Sequence, residues 1–131
     1  MRSSWSMLRN ATSNGFHRSI YMMRLASKEK RVIEEFKKRI HEKYPEEQIR
    51  LTLFGSRVHG EATRESDMDL LVVIQSEDWR LGDRIREIGY QLELKHGLVL
   101  SIQVMSRKHI EQLKAIGSQF LKEVEREGIM V

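Results

Sequence analysis

Two aspartates separated by one residue, Asp67 and Asp69, follow a Gly55-Ser56 pair with ten residues between. Each residue type in this pattern suits phosphate and cation chemistry. Glycine has no Cβ, so at Gly55 the backbone can approach a phosphate closely and adopt a positive φ. The amides after Gly55 and the Ser56 hydroxyl can donate to phosphate oxygens, and Arg57 can add a charge-assisted contact. At the head of a strand, a spacing of two puts both carboxylates on one face. Side by side they repel unless a cation lies between them. Mg2+ suits that arrangement, because it takes oxygen ligands from protein, water and triphosphate. The pattern predicts a nucleotide site with Asp67 and Asp69 as catalytic and metal-binding residues and Gly55, Ser56 and Arg57 as nucleotide-binding residues.

The elements that must position these residues are legible in the periodicity. A helix is predicted over residues 28–44, capped by Ser27, with Val32, Ile33, Phe36 and Ile40 on one stripe and Pro45 as its stop. A strand over 49–54 puts Leu51 and Leu53 on one face and runs into a polar loop over 55–67. Residues 68–74 read as a second strand, apolar on both sides towards its far end and therefore central. Ser76 or Asp78 starts a second helix, in which Leu81, Ile85, Ile88 and Leu92 are spaced 4, 3 and 4 apart and which Gly97 stops. A third strand is predicted over 98–105. Ser106 caps a last helical region with Ile110, Leu113, Phe120, Leu121 and Val124 inward, broken at Gly117-Ser118. The predicted order is α-β-β-α-β-α, an α/β (α+β) fold, and Trp79 is expected to pack.

With a strand before Gly55-Ser56 and an apolar strand after Asp69, the stretch Gly55-Ser56-Arg57 through Asp67-Met68-Asp69-Leu70-Leu71-Val72 resembles the motif of minimal nucleotidyltransferases, small members of the DNA polymerase β-like superfamily. Gly60-Glu61-Ala62 and Ser66 also look familial. The tail over 117–128, GSQFLKEVEREG, is similar to tails in one bacterial and archaeal branch. The resemblance spans roughly residues 27–131. It implies the nucleotidyltransferase fold, a small mixed sheet flanked by helices, and binding of Mg2+ and a nucleoside triphosphate, usually ATP. In several relatives the protein is an antitoxin that transfers AMP onto a tyrosine of a partner toxin with a HEPN domain, a helical RNase.

One departure bears on mechanism. Superfamily enzymes usually supply a third carboxylate from a later strand. In the third strand, alternation puts Ser101 and Gln103 on one face and Leu100, Ile102 and Val104 on the other, so the position of the third carboxylate lacks an acid. Glu93 on the second helix is a conceivable substitute. Two functions therefore stand side by side: an enzyme transferring AMP to a partner, and a nucleotide-binding antitoxin acting by contact. A transferase for antibiotics or nucleic-acid ends would need an extra domain to seat its acceptor. The core spends residues 27–131, so a partner or a homodimer is expected to complete the pocket.

Composition bounds the remainder. Hydrophobic residues make up 40% and charged residues 32%, which excludes a disordered chain, and no apolar run approaches the length of a membrane span. There is no cysteine, so disulfides and thiolate metal sites are excluded, and the expected compartment is the cytoplasm. The net charge of +4 comes from Arg2, Arg9, Arg18 and Arg24; without these four, 19 basic residues face 19 acidic ones. That balance argues against a broad nucleic-acid face. Residues 1–26 read as a basic leader. Their composition mimics an organellar transit peptide, but also suits a floppy extension or a start at Met22 or Met23. The histidines show no i, i+4 pairing and suggest no zinc site. Glu61 and Arg64 suit loop ion pairs or phosphate contacts, His59 suits an exposed loop, and His96 suits a helix C-terminus.

Overall fold

A computed structural model of the chain describes residues 27–55 and 67–131. The leader, Trp5, Ser56, Arg57, His59, Gly60-Glu61-Ala62, Arg64 and Ser66 lie outside the described residues. Among the described residues, four helices and four strands run in the order α1 (Ser27–Lys43), β1 (Ile49–Phe54), β2 (Met68–Ile74), α2 (Trp79–His96), β3 (Leu100–Ser106), α3 (Arg107–Ala115), α4 (Gln119–Glu127) and β4 (Ile129–Met130). They form one mixed sheet in the order β3-β2-β1-β4. β1 is antiparallel to β2 and β4, while β2 and β3 are parallel and joined through α2.

Side-chain alternation divides the sheet between two cores. On one face, Leu51, Leu53, Met68, Leu70, Val72 and Ile74 pack against Val32, Ile33, Phe36 and Ile40 of α1 and Ile85, Ile88 and Leu92 of α2. On the other, Leu71 and Val73 pack against Ile110 of α3 and Leu121 and Val124 of α4. From Leu70 onward both faces of β2 are buried beneath helices, as expected of a central strand.

The ends of the elements are set by identifiable side chains. Asp78 caps α2 by accepting from the Arg80 amide at 3.0 Å, and Gly97 closes that helix in the left-handed region at φ 68°. Ser106 accepts from His109 at the start of α3, and Ser118 from Leu121 at the start of α4. The Gly117 and Ser118 amides meanwhile satisfy the carbonyls of Lys114 and Leu113 at the end of α3. Glu47 Oε1 accepts from both the Gln75 and Ser76 amides, tying the exit of β2 to the entry of β1. Glu35 of α1 receives Arg39 at 2.8 Å, Lys95 at 2.6 Å and His96 at 2.7 Å, fastening α1 to the last turn of α2. The Lys95 and His96 hydrogen bonds, with Arg39 adding to them against a desolvation cost, lower the Glu35 carboxyl to about 2.

Three expectations require correction. The sequence reading ended in helix, but β4 follows it, pairing Ile129 with Leu53 and Met130 with Thr52. Two residues are too few to show alternation. Gly128 lets the chain enter β4, since a Cβ there would stand 2.7 Å from Thr52 Cγ2. β3 begins at Leu100 rather than residue 98, after the left-handed Gly97 and the exposed Val99. Trp79 does not pack into the core. It is 69% exposed, and the Arg80 guanidinium lies 5.5 Å from its ring centroid. Among the described residues, no helix is long and apolar enough to cross a membrane.

Candidate active site

The antiparallel register of β1 and β2 sets Phe54 opposite Asp69. The chain therefore leaves β1 beside the head of β2, and there Gly55 takes φ 81°, a conformation that favours glycine. A Cβ on Gly55 would collide with Asp69 Oδ2, so the bend lies directly against the carboxylate. Asp69 is partly buried and Asp67 is exposed just before the strand. Met68 is fully buried in the α1–α2 core, so Asp69, the next residue of the strand, faces the other side of the sheet, and Asp67 lies one residue before the strand. The structure thus brings together Gly55 and Asp69, with Asp67 one step away; Ser56 and Arg57 fall outside the described residues.

On the other flank of Asp69 stands β3. Its parallel register pairs Asp69 with Ser101 and Leu71 with Gln103. Because Leu71 and Met105 belong to the α3–α4 core while Ile102 and Val104 pack on the opposite side, Ser101 and Gln103 share the face of Asp69. This is the polar face expected to look at the site, and it holds a hydroxyl and an amide where a third acid would stand. Glu93 does not substitute. Its Oε1 accepts from the Leu100 amide at 2.7 Å, and α2 covers the opposite face of the sheet. Among the described residues, no group of three or more His, Asp or Glu gathers as a metal site. A two-carboxylate donor set beside a glycine bend fits Mg2+ that is also held by a triphosphate, because Mg2+ commonly takes one or two protein carboxylates and completes its shell with water and phosphate oxygens.

One neighbour escapes a reading of polar residues alone. Phe54, in register with Asp69, meets Phe120 of α4 edge-on, with ring centroids 5.5 Å apart and planes at 85°. This pair forms an apolar wall beside the acid, and the signal for it is the alternation of β1, which puts Phe54 and Thr52 on one side. Thr52 is buried, and among the described residues its hydroxyl has no hydrogen-bond partner. A groove of about 460 Å³ elsewhere, between α1 and the start of β1, is lined by Lys37, His41, Arg50 and Met130 and contains none of the candidate residues. His96 serves the α1–α2 fastening rather than the site.

The fold agrees with comparisons to known proteins. The nucleotidyltransferase domain family matches residues 33–128, and the chain belongs to that family. It is thus a nucleotidyltransferase-type transferase domain. Two proteins of Methanocaldococcus jannaschii, each named "Putative protein adenylyltransferase", are similar along nearly their whole length. One is 30% identical over 101 residues, covering 76% of this chain and 95% of its own. The other is 32% identical over 100 residues, covering 76% and 94%. No solved structure matches the chain.

Proposed function

We propose that this domain, residues 27–131, transfers AMP from ATP to a hydroxyl of a partner protein, with Asp67 and Asp69 as the acids of the site. The observation that carries the reading is the left-handed bend at Gly55 lying against the Asp69 carboxylate at the head of β2. Gly55, Ser56 and Arg57 hold the β- and γ-phosphates. Asp67 and Asp69 hold Mg2+, which when bound neutralises charge developing on the phosphates. The acceptor oxygen bonds to the α-phosphorus in line with the leaving pyrophosphate, the bond to the bridging oxygen breaks, and the hydroxyl proton passes to solvent or to a base of the acceptor. The names of the two archaeal relatives support protein as the acceptor class. A tyrosine of a HEPN-domain toxin is the acceptor that the family resemblance favours, and neutralising that toxin would make the protein an antitoxin.

A second reading has one observation in its favour. Ser101, not an acid, is the β3 partner of Asp69. Without a third carboxylate to activate the attacking hydroxyl, the protein can act by contact, binding nucleotide and partner while transferring slowly. Incubation with labelled ATP, Mg2+ and a HEPN-domain protein separates the two. Label on the partner that disappears with the Asp67→Ala, Asp69→Ala double variant supports transfer. A double variant that still neutralises the partner fully, with no label in either case, overturns it in favour of contact.

A further inference from the structure

β3 forms one margin of the sheet, and its outward edge carries no strand among the described residues. The Met68 amide donates to the Val99 carbonyl at 2.9 Å, which fixes the polarity of that edge. Alternation then turns the backbone groups of Ser101, Gln103 and Met105 towards β2 and those of Leu100, Ile102 and Val104 away from it. Glu93 already accepts from the outward Leu100 amide at 2.7 Å. Beyond it, the outward amides and carbonyls of Ile102 and Val104 have no hydrogen-bond partner among the described residues. Exposed edges are ordinarily blunted by a lysine, a proline, a bulge or a very short strand. Residues 98–106, LVLSIQVMS, hold no charge and no proline, and the register with β2 runs unbroken from Leu100 to Ser106. This edge is therefore able to accept a further strand.

Its position identifies the occupant. Phe54, Asp69 and Ser101 form a row across β1, β2 and β3 on one face. Gly55 lies on the β1 side of Asp69, so pyrophosphate held there departs on that side, and in-line displacement brings the attacking oxygen from the other. On that other side stand β3 and then its open edge. A strand laid along the edge puts its residue opposite Ser101 in the same row and on the same face, about 10 Å from Asp69 at two strand spacings. A long side chain that ends in a hydroxyl, tyrosine above all, can reach back over the small Ser101 towards the acid. Main-chain bonding of the strand holds that hydroxyl in place for transfer.

We propose that an extended segment of the acceptor protein joins the sheet beside β3, bonded to the backbone of Ile102 and Val104, and presents its accepting hydroxyl from the residue opposite Ser101. This docking rests on the transfer reading and adds a mode of recognition to it: main-chain bonds supply affinity, and the row selects the residue that is modified.

Amide hydrogen exchange of the full chain, alone and with a HEPN-domain protein as the probe, tests the docking apart from the chemistry. The Ile102 and Val104 amides should exchange rapidly in the chain alone and at least about tenfold more slowly with the probe bound. Val104→Pro removes one outward donor and leaves the ladder to β2 in place, while Val104→Ala controls for the lost side chain. The proline variant should bind the probe at least about tenfold more weakly than the alanine variant, with the affinity for Mg2+-ATP unchanged in both. Slowed exchange without label on the probe keeps the docking and overturns the transfer reading instead. Protection already present in the chain alone overturns the docking: if it grows with concentration a second copy holds the edge, and if it does not the chain's own residues hold it. A probe that takes label without slowing these amides also overturns it, as does equal binding by the proline and alanine variants. A probe that fails to bind at hundreds of micromolar overturns both docking and transfer.

Discussion

The two faces of the sheet are built to different ends. Towards α1 and α2, β2 presents Met68, Leu70, Val72 and Ile74 in unbroken sequence, and every one is buried. Towards α3 and α4 it presents Asp69, Leu71 and Val73, and only the last two enter a core. The first face is covered along its whole length. The second is covered at one end and polar at the other, where Asp69, Ser101 and the Gly55 bend meet. A single strand therefore anchors the domain on one side and carries the proposed site on the other, and the partition comes from a two-residue period applied to seven residues.

Variants on the two faces should separate stability from activity. The largest effect belongs to the packed face: Phe36→Ala should lower the unfolding free energy by about 3–5 kcal/mol in denaturant titration, through lost burial and a residual cavity. Next, Asp69→Ala should reduce partner labelling at least about 100-fold, by withdrawing a cation ligand, with little change in melting temperature. A loss of stability there as large as that of Phe36→Ala would break the comparison.

Gly55→Ala should affect both readouts. The positive φ and the clash with Asp69 carry strain of about 1–3 kcal/mol, and the displaced carboxylate should slow transfer about tenfold. Ser101→Asp sharpens the contrast from the other direction. It places an acid beside Asp69 and should raise the transfer rate about tenfold if the absent third carboxylate limits proton removal.

The smallest effect is a matter of pH on the packed face. Glu35 titrates near 2 in the folded chain against 4.5 for the ordinary carboxyl, so its lowered value stabilises the fold above pH 4.5. That contribution disappears as pH falls from about 4.5 to 2. Glu35→Gln should flatten the melting temperature across that window and leave labelling at neutral pH unaltered.

Much of this contrast was legible in the sequence. The stripe of Val32, Ile33, Phe36 and Ile40 and the doubly apolar run over 68–74 both declare burial through period alone. Asp78, Gly97, Ser106 and Ser118 mark helix ends because capping is local chemistry. What the sequence withheld depends on register. No local rule places Phe54 opposite Asp69, since the intervening loop is too long to fix a hairpin. Nor does any local rule place Ser101 beside Asp69, because that pairing is made only after α2 has crossed over. β4 was missed because two residues carry no period. Trp79 misled because an aromatic at a helix start is ordinarily interior, and here it lies on the outward arc.

The position of β2 has one more consequence. Its backbone is bonded to β1 along one edge and β3 along the other, so its amides exchange with solvent only when β1 or β3 separates from it. The acidic pair thus stands at the head of a segment that should be slow to take up deuterium, and fraying of β4, which pairs only with β1, would leave Asp69 where it is.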